Sequence, residues 1–146
     1  MPETKLDTNN ISLAGEFAVL AQLALRGFVA NMTLGRAKGI DILLVNPDTG
    51  RMLKLEVKTT RKPLKLGWLM NEKHEHLTDA DLFFCFVSIT EDNGFRFFVV
   101  PSAVVADYLS RAHAHWAVPF STCHGCILSL RRFIPRSADP RLIRSL

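Results

Sequence analysis

An α/β fold is predicted, a single domain with a central mixed β-sheet flanked by helices, and three observations predict it. An apolar-periodic segment from about Ser12 to Arg26 reads as a helix. Two strands rich in Ile, Leu and Val follow at 40–46 and 51–58, and a nearly continuous apolar run, Asp81 to Thr90, suits a strand covered on both faces. A helix, an antiparallel pair and then a buried strand is the pattern of a layered α/β domain.

The 146 residues suffice for one domain with a proper core, and 48% hydrophobic content argues against disorder. No apolar run approaches the roughly 20 residues of a membrane span, and the first ten residues contain no signal-peptide h-region, so a cytoplasmic address and no membrane partner are expected. A net charge of +4 and a pI near 9.2 permit a polyanionic partner without requiring one. Three cysteines give no disulfide framework.

Residues 1–10 are polar and expected to fray, after which Asn10 or Ser12 caps the first helix and Gly27 stops it. Leu13, Phe17, Leu20, Ala24 and Phe28 supply its expected buried stripe, with Gln22 and Arg26 on the wettest side. At about 100° per residue, Glu16 leans toward Leu20 and Leu23 and so toward the interior. A Glu there is also explained as a boundary residue favoured by the helix N-terminus. Phe28 to Met32 is a strand, and Thr33 to Gly39 forms a basic connection in which Arg36 and Lys38 can meet phosphates or simply be solvated.

The stretch 39–58 organises the rest. Pro47-Asp48-Thr49-Gly50 carries the residues a turn needs, so the two strands form a hairpin in which Asn46 faces Arg51. Counting back along that register sets Asp41 opposite Glu56, and the two-residue period adds Lys58 to the same face. Opposed like charges destabilise a sheet unless positive charge lies between them, which a divalent cation would supply. The bland alternative is a solvated face, and a one-residue change of turn length would send Asp41 to the other side.

Thr59 to Lys62 continue as a basic cluster that Pro63 ends, with Thr59 and Arg61 as further phosphate contacts. Residues 63–80 are mixed, with a loop or short helical turn at Asn71 to His76. Asp81 to Thr90 turns through 91–94 into a strand at Phe95 to Val100, and Cys85 is read as a small core residue. A second helix is expected over 103–109, then a loop holding His113, His115 and Trp116, and a strand over 127–130. Five arginines and two prolines mark the tail from 131, of which 135–146 is expected to be flexible.

His113 and His115 with Cys123 and Cys126 offer zinc-type ligands, against the commoner reading of ordinary loop and strand residues. Redox use of the two cysteines is disfavoured by the absence of a strand-to-helix setting, and neither a Gly-rich nucleotide loop nor a Ser-nucleophile elbow is visible.

Taken together, Glu16 on the first helix, Asp41 at a strand start just after Gly39, and Glu56-Val57-Lys58 on the next strand resemble the PD-(D/E)XK nuclease superfamily. Order, spacing and context carry the likeness, which is strongest over residues 12–60; Ile40 stands where the family name expects proline. The resemblance implies a restriction-endonuclease-like fold with an αβββαβ core. It implies Mg²⁺ or Mn²⁺ held by Asp41 and Glu56 with the Val57 carbonyl, Lys58 orienting or helping to deprotonate the attacking water, and Glu16 steadying the metal's waters or Lys58. DNA is the implied partner, and a homodimer using the apolar tract near 95–105 is compatible with it. Phosphodiester hydrolysis independently calls for a hard cation on oxygen ligands and a nearby ammonium.

Three readings follow: a metal-dependent DNA endonuclease, a non-catalytic nucleic-acid-binding module within a larger DNA-processing or defence system, and an interaction protein whose acidic pair is incidental. Cleavage, binding without cleavage, and neither are their respective signatures.

Overall fold

The computed structural model describes residues 6–33, 39–61, 67–116 and 126–128. Helix α1 (Thr8–Ala24) leads into β1 (Val29–Met32), β2 (Ile42–Val45), β3 (Met52–Thr60) and β4 (Trp68–Met70). A 3-10 turn (Glu72–His76), β5 (Leu82–Ile89), β6 (Phe95–Pro101), α2 (Ser102–Trp116) and β7 (Cys126–Leu128) follow. Five strands make a mixed sheet in the order β1-β2-β3-β5-β6, antiparallel except where β3 runs parallel to β5, and β4 pairs with β7 in a second, small sheet. This is the expected α/β architecture. The parallel crossover from β3 to β5 is carried by β4 and the 3-10 turn, not by a long helix.

The hairpin register is the one the turn chemistry dictates. Ile42 faces Leu55 and Val45 faces Met52, while the Asn46 amide donates to the Arg51 carbonyl at 2.9 Å. Asn46 Oδ1 accepts the amides of Asp48 and Thr49 at 2.9 and 3.2 Å, and Gly50 takes the positive φ of 67° that closes the turn.

Two apolar layers cover the sheet. On one face Val19 and Leu23 of α1 pack on Ile42, Leu44, Leu53, Leu55, Val57, Cys85 and Val87. On the other, Trp68, Met70, Phe84, Phe86, Val105 and Leu109 form a second cluster. Strand alternation deals β5 residues to both layers, which explains its continuous apolar sequence. Cys85 is a core residue, as expected, its thiol pushed up to about 12 by burial.

Several expectations need correction. Helix α1 begins earlier, with Asp7 at its N-cap, so residues 8–10 are helical and not frayed, although Gly27 does stop the chain with a positive φ. Its buried line is Gly15, Val19 and Leu23; Leu13 and Phe17 are exposed, and so is Ala24. The cause is Gly15, where a Cβ would overlap Thr59 Oγ1. Lacking a side chain there, the helix presses its backbone onto β3, and this close approach decides which face is buried. Gln22 and Arg26, expected on the wettest side, are half-buried and bonded to each other, Arg26 Nη1 donating to Gln22 Oε1 at 2.6 Å. Helix α2 continues to Trp116, so His113 and His115 lie on a helix and not in a loop. The short strand β4 was not anticipated. Among the described residues no helix is long and apolar enough to cross a membrane.

Candidate active site

Asp41 stands immediately before β2, and its local bonds explain its position. Its own amide donates to the Leu55 carbonyl at 2.8 Å, and its Oδ2 accepts the Val57 amide at 2.7 Å. Asp41 therefore grips β3 on both sides of Glu56. Continued pairing would offer the Val57 amide to the Ile40 carbonyl, but that oxygen accepts Thr33 Oγ1 at 2.7 Å. The ladder ends because an acidic side chain has replaced a main-chain acceptor.

Alternation along β3 sends Leu53, Leu55 and Val57 under α1 and turns Glu56 and Lys58 to the opposite face. Glu56 is buried there, with a side chain 4% exposed. Its Oε1 meets Lys58 Nζ at 2.5 Å and His74 Nε2 at 3.1 Å. Its Oε2 is buried without a hydrogen-bond partner among the described residues. Beside Oε2 the chain carries Gly39 at a φ of 76°, where a Cβ would come within 3.2 Å of that oxygen. A side chain at 39 would crowd that oxygen.

Electrostatics reflect this crowding. Burial raises the Asp41 carboxyl above its ordinary range and the Glu56 charge adds to that, while the Val57 amide, Lys58 and Lys73 work against it. Burial is also the largest influence on Glu56 and acts upward. The His74 hydrogen bond and the adjoining Lys58 outweigh it and hold Glu56 at about 2. Glu16 is raised by burial first and then by the Asp41 charge. It lies on α1 and is coupled to the site through the Asp41 charge, while Lys58 Nζ is engaged by Glu56 on the face opposite α1.

Asp41, Glu56 and Lys58 are thus brought together, and Glu16 joins them through Asp41. Val57 contributes its amide directly. In an extended strand a residue's N–H and C=O leave by the same edge, so the Val57 carbonyl also lies on the Asp41 side. Among the phosphate-contact candidates, Arg61 is exposed and donates to Asn93 Oδ1 at 3.3 Å. Thr59 is half-buried, with its Oγ1 buried against Gly15 under α1. Arg36, Lys38 and Cys123 lie outside the described residues, as does the segment 135–146; the side chains of His113, His115 and Cys126 are likewise not described.

Two residues escaped sequence reasoning. His74, 1% exposed, reaches Glu56 from the 3-10 turn, and Lys73 beside it is exposed yet acts on Asp41 by its charge. Their only sequence signal is a polar segment that reads equally well as a solvated turn.

Among the described residues no three His, Cys, Asp or Glu side chains are gathered closely enough for a ready-made metal cage. Two carboxylates and a carbonyl are nevertheless a sufficient protein contribution for Mg²⁺, which keeps several of its waters. The Glu56 Oε2 left without a partner among the described residues, the absence of a side chain at Gly39 beside it and the all-oxygen donor set fit such an ion.

No protein-family profile matches the chain. No curated protein matches it either. Among solved structures it is similar to the bacterial homing endonuclease I-Ssp6803I, at 18% identity over 66% of this chain and 67% of that one, with a TM-score of 0.44.

Proposed function

We propose that this protein is a divalent-cation-dependent endonuclease that hydrolyses phosphodiester bonds in DNA. One observation carries the reading: a buried carboxylate oxygen, Glu56 Oε2, has no hydrogen-bond partner among the described residues, while the Asp41 carboxylate is held in place by the Val57 amide and pushed up by burial and by Glu56. A merely structural acid would be expected to satisfy both oxygens, because a buried polar atom left unpaired costs roughly 1–3 kcal/mol.

Asp41 and Glu56 would hold Mg²⁺ or Mn²⁺ with the Val57 carbonyl. When bound, the ion would polarise a phosphoryl oxygen and lower the pKa of a coordinated water. Asp41 orients this cradle through its bond to Val57, which fixes the carboxylate plane against β3. Lys58, 26% exposed and resting on Glu56 Oε1, brings an ammonium to the rim, where negative charge develops at phosphorus as water attacks and one P–O ester bond breaks. It either steers that water or takes its proton; in both roles its reach from Glu56 is what matters. Glu16, raised by burial and by the Asp41 charge, would steady the ion's waters from the α1 side. Lys73 and Arg61, both exposed, and Arg36 and Lys38 supply positive charge for the flanking phosphates.

The test is incubation of the protein with plasmid, linear duplex and branched DNA in Mn²⁺ and in Mg²⁺, beside Asp41→Ala, Lys58→Ala and Cys123→Ala. Wild type and C123A should cut only with the ion present, and D41A and K58A should not cut. Equal cutting by all four proteins contradicts the proposal. Tight binding with no cutting by wild type replaces it with a nucleic-acid-binding module on the same fold.

A further inference from the structure

His74 lies on the 3-10 turn of the β3–β5 crossover, 18 residues beyond Glu56, and it is one of the few buried polar side chains among the described residues. Its ring is fixed on three sides. Nδ1 is 2.9 Å from the Asn71 amide and 2.9 Å from the Asn71 carbonyl. Nε2 is 3.1 Å from Glu56 Oε1, and the ring stands edge-on to Phe84 with centroids 5.6 Å apart.

The protonation of Nε2 follows from its partner. An ionised carboxylate only accepts, so Nε2 must carry a proton. That holds whether Nδ1 accepts the Asn71 amide or donates to its carbonyl. His74 is therefore a fixed donor to Glu56, in line with Lys58 on the same oxygen. With Oε1 taken twice, the carboxylate is restrained and Oε2 is left beside Gly39, without a partner among the described residues.

We propose that His74 is a positioning residue for the cation site: by donating to Glu56 Oε1 from a buried, doubly anchored ring, it aims Oε2 at the ion and sets the affinity for it. This rests on the cation-dependent reading of the Asp41–Glu56 pair and adds a residue and a role to it. A carboxylate ligand that is itself hydrogen-bonded binds its ion in a defined direction, and loss of such a supporting partner commonly costs 10- to 100-fold in metal affinity.

The test is calorimetric titration of Mn²⁺ into wild type, His74→Leu, His74→Gln and Asp41→Asn, with the melting temperature of each recorded. His74→Leu fills the same space without a donor and should weaken Mn²⁺ binding about 10- to 100-fold. His74→Gln places an amide N–H near the Nε2 position and should recover most of that affinity. A purely structural histidine would lower the melting temperature in H74L and leave the Mn²⁺ affinity of the folded protein unchanged; that result overturns the inference while leaving the nuclease reading intact. H74Q as weak as H74L also overturns it. Wild type that binds no Mn²⁺ removes both the nuclease reading and this inference.

Should H74L not fold, nitrogen-detected NMR of the wild-type imidazoles decides. Mg²⁺ should leave the proton on His74 Nε2, and Mn²⁺ should broaden the His74 signals well before those of His76. Loss of that proton with Mg²⁺, or His74 signals untouched by Mn²⁺, contradicts the role.

Discussion

The Asp41 carboxylate accepts the Val57 amide at 2.7 Å, in the place where the hairpin ladder would otherwise present a carbonyl. This bond makes Asp41 both a structural acceptor and one half of an acidic pair, and the two roles separate by mutation. Asp41→Asn retains an oxygen acceptor for Val57 and removes the charge, so it should melt within a few degrees of wild type while Mn²⁺-dependent cutting falls to background. Asp41→Ala also strands the Val57 amide and should cost about 1–3 kcal/mol in denaturant unfolding. Equal stability of the two variants would show that the bond carries little weight.

Glu56 makes acid stability diagnostic. Its carboxyl sits at about 2 in the folded protein against an ordinary 4.5, so its contribution is fully present above pH 4.5 and is lost as pH falls toward 2. That difference corresponds to about 3 kcal/mol. Asp41 and Glu16 act with the opposite sign, since their raised carboxyls favour the folded state below their ordinary range and oppose it as pH rises through the raised values. Urea unfolding of wild type and Glu56→Gln as a function of pH should therefore show a steeper acid loss in wild type. Parallel profiles would mean that the His74 and Lys58 contacts do not hold Glu56 ionised.

Gly15 against Thr59 is the packing constraint that sets α1. Gly15→Ala gains about 1 kcal/mol of helix propensity yet must push back the Thr59 side chain, an overpacking cost of about 1–3 kcal/mol. A net loss of stability is expected, reduced when Thr59→Ala is combined with it, and a double-mutant cycle of unfolding free energies measures the coupling. A stabilising Gly15→Ala with no coupling would contradict the close approach.

Lys73 should act on substrate more than on the fold, being exposed on the 3-10 turn yet within electrostatic reach of Asp41. Lys73→Ala should weaken duplex binding for all sequences alike and lower the salt dependence of affinity by about one phosphate contact. Fluorescence anisotropy across a salt series reads this directly; an unchanged slope removes Lys73 from the DNA-facing surface.

The hairpin was legible in the sequence because local chemistry determines it. Asn46 and Gly50 fix the turn, and the turn fixes the register as far as Ile42 opposite Leu55; beyond it the Asp41 amide turns to the Leu55 carbonyl and its side chain to the Val57 amide. The orientation of α1 was not legible: with Leu13 and Phe17 on one side and Val19 and Leu23 on another, the helix is apolar nearly all round. Its choice of face depends on a contact with Thr59, 44 positions away. His74 was hidden for a related reason. A histidine in a polar turn has no periodicity to betray it, and only the parallel crossover brings it back over Glu56. Helix α2 extends past the expected 103–109 because nothing from Ser110 to His115 breaks a helix, histidine being only a weaker helix former.

Anomalous diffraction from a Mn²⁺-soaked crystal tests the central claim most directly. The account predicts a peak bound by the Asp41 carboxylate and Glu56 Oε2 at about 2.0–2.2 Å, with the Val57 carbonyl and waters completing six oxygens. Density for Mn²⁺ only elsewhere on the surface, or none with both carboxylates unmoved, would contradict it.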